Sequence, residues 1–125
     1  MTVVDACVVI SFLAGDTTPE VEALADLLAN AAAILAPSTI TELLSDPKGG
    51  GGIAPLIDQL QTVEIIEGYW ARAGELRATV RGAGRKAALG DALLAQACID
   101  ADLPLLTADA DFKAFKQFSR LRLEL

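Results

Sequence analysis

A chain of 125 residues has the length of one compact domain, 1–125, and its 53% hydrophobic content excludes the composition of a disordered chain. It contains no histidine, and its two cysteines, Cys7 and Cys98, lack CxxC spacing. Those facts exclude the usual zinc sites, the Ser-His-Asp and Cys-His nucleophile systems, and acid–base work by histidine. Any metal must then be held by oxygen, which points to Mg²⁺ or Mn²⁺. The net charge of −7 opposes a nucleic-acid partner at first sight. The charge is unevenly spread, however. Residues 1–71 hold a single basic residue, Lys48, while 72–125 hold nine, among them Arg85 and Lys86. An acidic pocket beside a basic stretch suits a metal-dependent nuclease, although a solvated helix face explains charge alone.

In chain order, short apolar runs alternate with helical segments, the pattern of an α/β domain with a mainly parallel sheet. Thr2–Asp5 reads as a strand ending on an acid, and Ala6–Ala14 as a short helix. Pro19–Ala32 is a longer helix, with Thr18 as N-cap and Pro19 at its first position. Ala33–Ala36 is the second strand, and Ser38–Leu44 opens a helix. Asp46–Gly52 is a loop whose four glycines suggest mobility. Ile53–Leu60 is helical, Thr62–Ile66 a strand, and Tyr69–Val80 a helix broken at Gly82–Gly84. Asp91–Ala101 is a helix rich in Ala and Leu. Pro104–Thr107 is a strand leading into the acidic turn ADADF. A helix over 111–117 and a strand over Leu121–Leu125 close a sheet of about five strands flanked by helices.

The acids fall at corresponding places. Asp5 ends the first strand, Glu42 lies one turn into the helix after the second, and Asp109 follows Leu105–Thr107. In an open parallel sheet the carboxyl ends of the strands share one edge, where ligands bind as strand order reverses. Asp91 reaches that edge only if its helix begins over it. Crowded carboxylates repel one another, and a divalent cation removes the conflict while suiting phosphodiester cleavage. Each acid also has an ordinary structural explanation. Asp5 fits an Asx-turn, and Glu42 completes Thr39-Ile-Thr-Glu, a capping box. Asp91 sits where a helix favours an acid, and Asp109 and Asp111 fit turn and N-cap roles. Thr107 is a candidate hydroxyl donor to a carboxylate or a phosphate, and Ser11, Arg85 and Lys86 are further candidates for contacts around the site. Tyr69 and Trp70 read as packing or interface residues. The cysteines read as small buried hydrophobes, with Cys98 packed on the face that carries Asp91.

The segments VVDACVVISFL, PSTITELLSD, LGDALLAQACIDADLPLLTADADF and the closing RLRLEL together resemble the PIN domain family. Within it they resemble the VapC-type toxins of toxin–antitoxin pairs. The resemblance covers essentially the whole chain and is most specific from Gly90 to Phe112. It implies a single PIN-like nuclease domain and a Mg²⁺- or Mn²⁺-dependent endoribonuclease. Asp5, Asp91 and Asp109 would be the main metal-site acids, with Glu42 completing the site. Asp111 would be an extra acid or stand in for Asp109. It also implies a homodimer and inhibition by a cognate antitoxin. Many relatives carry Thr or Ser directly after the first Asp, whereas this chain has Ala6. No stretch is apolar and long enough to span a membrane, and MTVVDACVV lacks the basic start of a signal peptide, so a cytoplasmic protein is expected.

Two other classes compete. A non-catalytic PIN-like module would act through protein contacts alone. A receiver-type phospho-acceptor would need an acidic pair after the first strand and a late lysine after another, whereas here Asp5 precedes Ala-Cys and the late strand ends in Thr-Ala-Asp.

Overall fold

The computed structural model describes residues 1–47 and 49–125. The Lys48 position of the expected glycine-rich loop lies outside the described residues. Period-two alternation of apolar side chains organises the centre of the fold. Val3, Ile34 and Leu105 face one hydrophobic cluster, and Val4, Ala33, Leu35 and Leu106 face the other. Their strands are β1 (Thr2–Val4), β2 (Ala33–Leu35), β3 (Gln61–Thr62) and β4 (Leu105–Leu106). Among the described residues they form one four-stranded sheet in the order β3-β2-β1-β4, parallel throughout. β1, β2 and β4 are buried on both faces, as a parallel sheet requires, whereas the edge strand β3 is exposed.

Seven helices cover the two faces of the sheet among the described residues. On one side lie α1 (Ala6–Leu13), α2 (Pro19–Ala29), α3 (Pro37–Leu44) and α4 (Ile53–Gln59), burying Val8, Val9, Leu24, Leu43 and Ile53. On the other lie α5 (Tyr69–Gly82), α6 (Leu89–Ala101) and α7 (Phe112–Gln117), burying Tyr69, Leu76, Val80, Leu94, Phe112 and Phe115. Thr18 caps α2 as expected, its hydroxyl accepting from the Val21 amide at 3.1 Å. Arg72 on α5 grips Asp100 on α6 through two hydrogen bonds of 3.0 and 2.6 Å and joins these helices.

Several boundaries differ from expectation. The third strand is shorter than Thr62–Ile66 and begins one residue earlier. The closing segment Leu121–Leu125 is no full strand. Among the described residues it meets the sheet through a parallel bridge, Leu105 with Leu123, beside β4. Helix α6 begins at Leu89, so Asp91 is its third residue.

The capping box is absent. Pro37 takes the first turn of α3, which makes Ala36 the N-cap and puts Thr39 inside the helix. There the Thr39 hydroxyl is buried without a hydrogen-bond partner among the described residues. Leaving a hydroxyl buried and unsatisfied is costly, so Thr39→Val is expected to leave stability unchanged or raise it by about 1 kcal/mol in urea unfolding. A loss of about 1 kcal/mol, the cost of removing a helix cap, would contradict this placement.

Candidate metal centre

The strand order reverses at β1, which has β2 on one side and β4 on the other. The carboxyl ends of β1 and β4 therefore meet at the point where such sheets bind ligands. Asp5 leaves β1 there as the N-cap residue of α1, yet its carboxylate makes no capping hydrogen bond. Instead its Oδ2 accepts from the Thr107 hydroxyl at 2.7 Å and from the Cys7 thiol at 3.4 Å. Thr107 directly follows β4, and its oxygen accepts from the Asp109 amide at 3.0 Å. One hydroxyl thus ties the end of the first strand to the acidic turn after the last.

That turn is built by its own acids. The Asp109 carboxylate accepts from the Asp111 amide at 2.9 Å, an Asx-type turn that leads into α7. Buried Phe112 then seats the helix. Asp91 approaches from α6, which runs back toward β4 and so starts over the carboxyl edge. One carboxylate oxygen from each of Asp91, Asp109 and Asp111 lies within 4.8 Å of the others. Asp5 and Glu42 are not members of that trio. They stand beside it, close enough that Asp5 raises the pKa of both Glu42 and Asp91.

The electrostatics follow from crowding. Burial pushes the Asp91 carboxyl up to about 6, with further increments from Asp109, Asp5, Asp111 and Glu42. Burial also raises Asp5, partly offset by the bonds from Thr107, Cys7 and the Ala6 amide. It raises Glu42 too, with Asp5 adding to the effect. An all-oxygen set whose members repel one another fits a hard divalent cation, and Asp91, Asp109 and Asp111 are the residues whose oxygens already converge.

The other candidates divide. Thr107 is part of the site, and Lys86 reaches Asp111 at 3.2 Å. Arg85 is directed at α7 instead, donating to Gln117 at 3.0 Å. Ser11, nearly two turns along α1, has no hydrogen bond to the acids among the described residues. Cys98 is fully buried, and burial pushes its thiol up to about 12, as packing requires. Cys7 differs from expectation: it is half-buried and donates to Asp5. Its offset of two residues from a strand-ending acid was a weak signal for that contact. Tyr69 is a packing residue, its hydroxyl donating to the Leu93 carbonyl at 2.6 Å, whereas the Trp70 side chain is exposed. Trp70 stands on the rim of a groove of about 650 Å³ that runs to Glu42 and Asp91.

An acid-edged parallel α/β domain of this topology defines a class, and the sequence bears it out. A PIN domain family model matches residues 2–117, and the chain belongs to the PIN domain family. No curated protein matches the sequence. Three solved structures share the fold. FitAcB from Neisseria gonorrhoeae is 19% identical with a TM-score of 0.72, the match covering 100% of this chain and 97% of that one. VapBC2 from Rickettsia felis, bound to a DNA fragment from its promoter, is 17% identical with a TM-score of 0.76, covering 98% and 96%. FitAB bound to an IR36 DNA fragment is 20% identical with a TM-score of 0.69, covering 99% and 94%.

The raised pKa of Asp91 has a consequence for stability in metal-free protein. A carboxyl whose folded value lies near 6, above its unfolded 3.8, binds its proton more tightly when folded. Its contribution therefore stabilises the protein as pH falls through 6 toward 3.8 and opposes folding above 6. Asp5 and Glu42 act in the same direction. Relative to Asp91→Asn, whose side chain does not titrate, the wild-type melting temperature should gain about 3 °C or more between pH 7 and pH 4.5. Parallel pH profiles for the two proteins would contradict the crowding described here.

Proposed function

We propose that this protein is a metal-dependent endoribonuclease, a VapC-type toxin that cleaves RNA phosphodiesters and is neutralised by a cognate antitoxin. The observation that carries the reading is the convergence of Asp91, Asp109 and Asp111 beside an Asp5 carboxylate held by Thr107 at the switch point of the sheet. PIN domains are typically nucleases that use divalent metals. The similarity to VapBC2 and FitAB supports a toxin with an antitoxin partner. On this reading the whole chain, 1–125, is a single nuclease domain acting in the cytoplasm as a homodimer. Among the described residues no helix is long and apolar enough to cross a membrane.

Asp91, Asp109 and Asp111 would hold Mg²⁺ or Mn²⁺, with Asp5 and Glu42 completing the site directly or through water. When bound, the cation supplies the charge that activates water and stabilises negative charge on phosphoryl and leaving oxygens. The protein does the rest. Thr107 fixes the direction of the Asp5 carboxylate. Glu42, its pKa raised by burial and by Asp5, stands beside the cluster and accepts a proton from the attacking water. Lys86 and Lys113 supply positive charge at the rim for the RNA backbone, Lys113 lining a surface cleft with Thr107 and Asp109. Several other basic residues are engaged within the chain. Arg72 holds Asp100, Arg77 the Ala87 carbonyl and Arg122 the carbonyl of Asp102.

Asp5→Asn and Asp91→Asn should each abolish Mn²⁺-dependent cleavage of RNA while the protein stays folded. Cleavage at the wild-type rate by either variant, in a preparation free of other nucleases, would overturn the assignment and leave a binding module. Thr107→Val should lower kcat by about 10- to 100-fold, as loss of a group that orients a ligand does. Thr107→Ser should restore it, and an inert Thr107→Val would exclude the positioning role.

A further inference from the structure

We propose that Lys86 is a tethered counter-ion of the carboxylate site: its ammonium neutralises Asp111 in the metal-free protein, and a divalent cation binds in competition with it. The inference rests on the metal-site reading above but concerns a residue outside the ligand set.

The geometry is built rather than incidental. The chain between α5 and α6 turns at Gly84, whose φ of 78° suits a residue without a side chain. Hydrogen bonds pin the residues on both sides of Lys86. The Arg85 amide donates to the Val80 carbonyl at 3.2 Å, and its guanidinium donates to Gln117 at 3.0 Å. The Arg77 guanidinium donates to the Ala87 carbonyl at 2.9 Å, and Ala87 is buried. From this fixed base the Lys86 side chain reaches Asp111 Oδ2 at 3.2 Å. Asp109 and Asp91 are near enough to act on its charge as well.

Among the described residues, Lys86 is the basic side chain paired with any of the five acids. A lone surface ion pair contributes little. A single positive charge facing several crowded carboxylates has a larger effect, because it offsets repulsion from more than one of them. A divalent cation meets the same charge with the opposite result. It must either displace the ammonium from Asp111 or bind beside it, and both weaken its affinity.

The test uses the full chain, stripped of metal and titrated with Mn²⁺ by calorimetry. Lys86→Gln should bind Mn²⁺ about fivefold more tightly at low salt, and the gain should shrink at about 0.5 M salt, where the charge is screened. The melting temperature of metal-free Lys86→Gln should fall below wild type. Lys86→Arg, which keeps the charge, should match wild type in both measurements. Equal or weaker Mn²⁺ affinity in folded Lys86→Gln overturns the role of Lys86 and leaves the metal site intact. A gain that does not shrink with salt also overturns it. Wild-type protein that binds no Mn²⁺ overturns the metal-site reading itself, and competition at Lys86 with it.

Discussion

Repulsion among carboxylates is the constraint around which this fold is arranged. Asp5, Glu42, Asp91, Asp109 and Asp111 gather at one edge of a small sheet, and burial there makes the charges of Asp5, Glu42 and Asp91 harder to hold. The chain meets the problem in three ways. Hydroxyl, thiol and amide donors stabilise Asp5. The Asp111 amide stabilises Asp109. A lysine stabilises Asp111. Asp91 receives none of this help, and burial beside the other acids pushes its carboxyl up to about 6. Its position in the first turn of α6 offsets part of the strain through the helix dipole.

The sheet that gathers the acids is small, with strands of two or three residues. Strand pairing alone does not hold such a sheet. Its inner strands β1 and β2 and the strand β4 are fixed by hydrophobic packing on both faces, and the helices that deliver the acids are seated by the same core. Ala92, Leu94 and Ala95 are buried immediately after Asp91, and Phe112 immediately after Asp111. The site is therefore positioned by core side chains adjacent in sequence to its acids. Disturbing those contacts would move a carboxylate before it unfolded a strand.

That adjacency is why the placement of several candidate acids could be read from sequence. An acid ending an apolar run marks a strand terminus, so Asp5 was legible. Pro19 after Thr18 gave the start of α2. The acids after Leu105–Thr107 could be placed at the same edge because parallel strands share a direction. Other features were hidden. Thr39-Ile-Thr-Glu satisfies the spacing of a capping box, but Pro37 is the stronger signal and places the N-cap at Ala36, three residues before Thr39. The alternation in RLRLEL reads as a strand, yet the segment pairs with the sheet only around Leu123, through hydrogen bonds of Arg122 and Glu124 to Leu105 among the described residues. Cys7 and Lys86 contribute through partners that only the tertiary fold supplies. Local pattern contains no information about a lysine meeting an aspartate 25 residues away.

The same geometry bears on how Asp109 and Asp111 share their task. A hydroxyl has one proton to give. Thr107 gives its proton to Asp5, so its oxygen is left to accept from the Asp109 amide. The backbone of the acidic turn is thereby fixed to Asp5. Within the turn, one Asp109 oxygen accepts from the Asp111 amide, and one Asp111 oxygen pairs with Lys86. Each acid keeps a second oxygen, and both residues belong to the trio that converges with Asp91. On the proposed metal-site reading the two acids then act together rather than as alternatives for one place. Asp109 is anchored through the backbone that Thr107 holds, while Asp111 is anchored through a side chain that can leave. A cation arriving at the trio would meet one carboxylate fixed to the sheet and another released from Lys86, which makes Asp111 the adjustable member of the site.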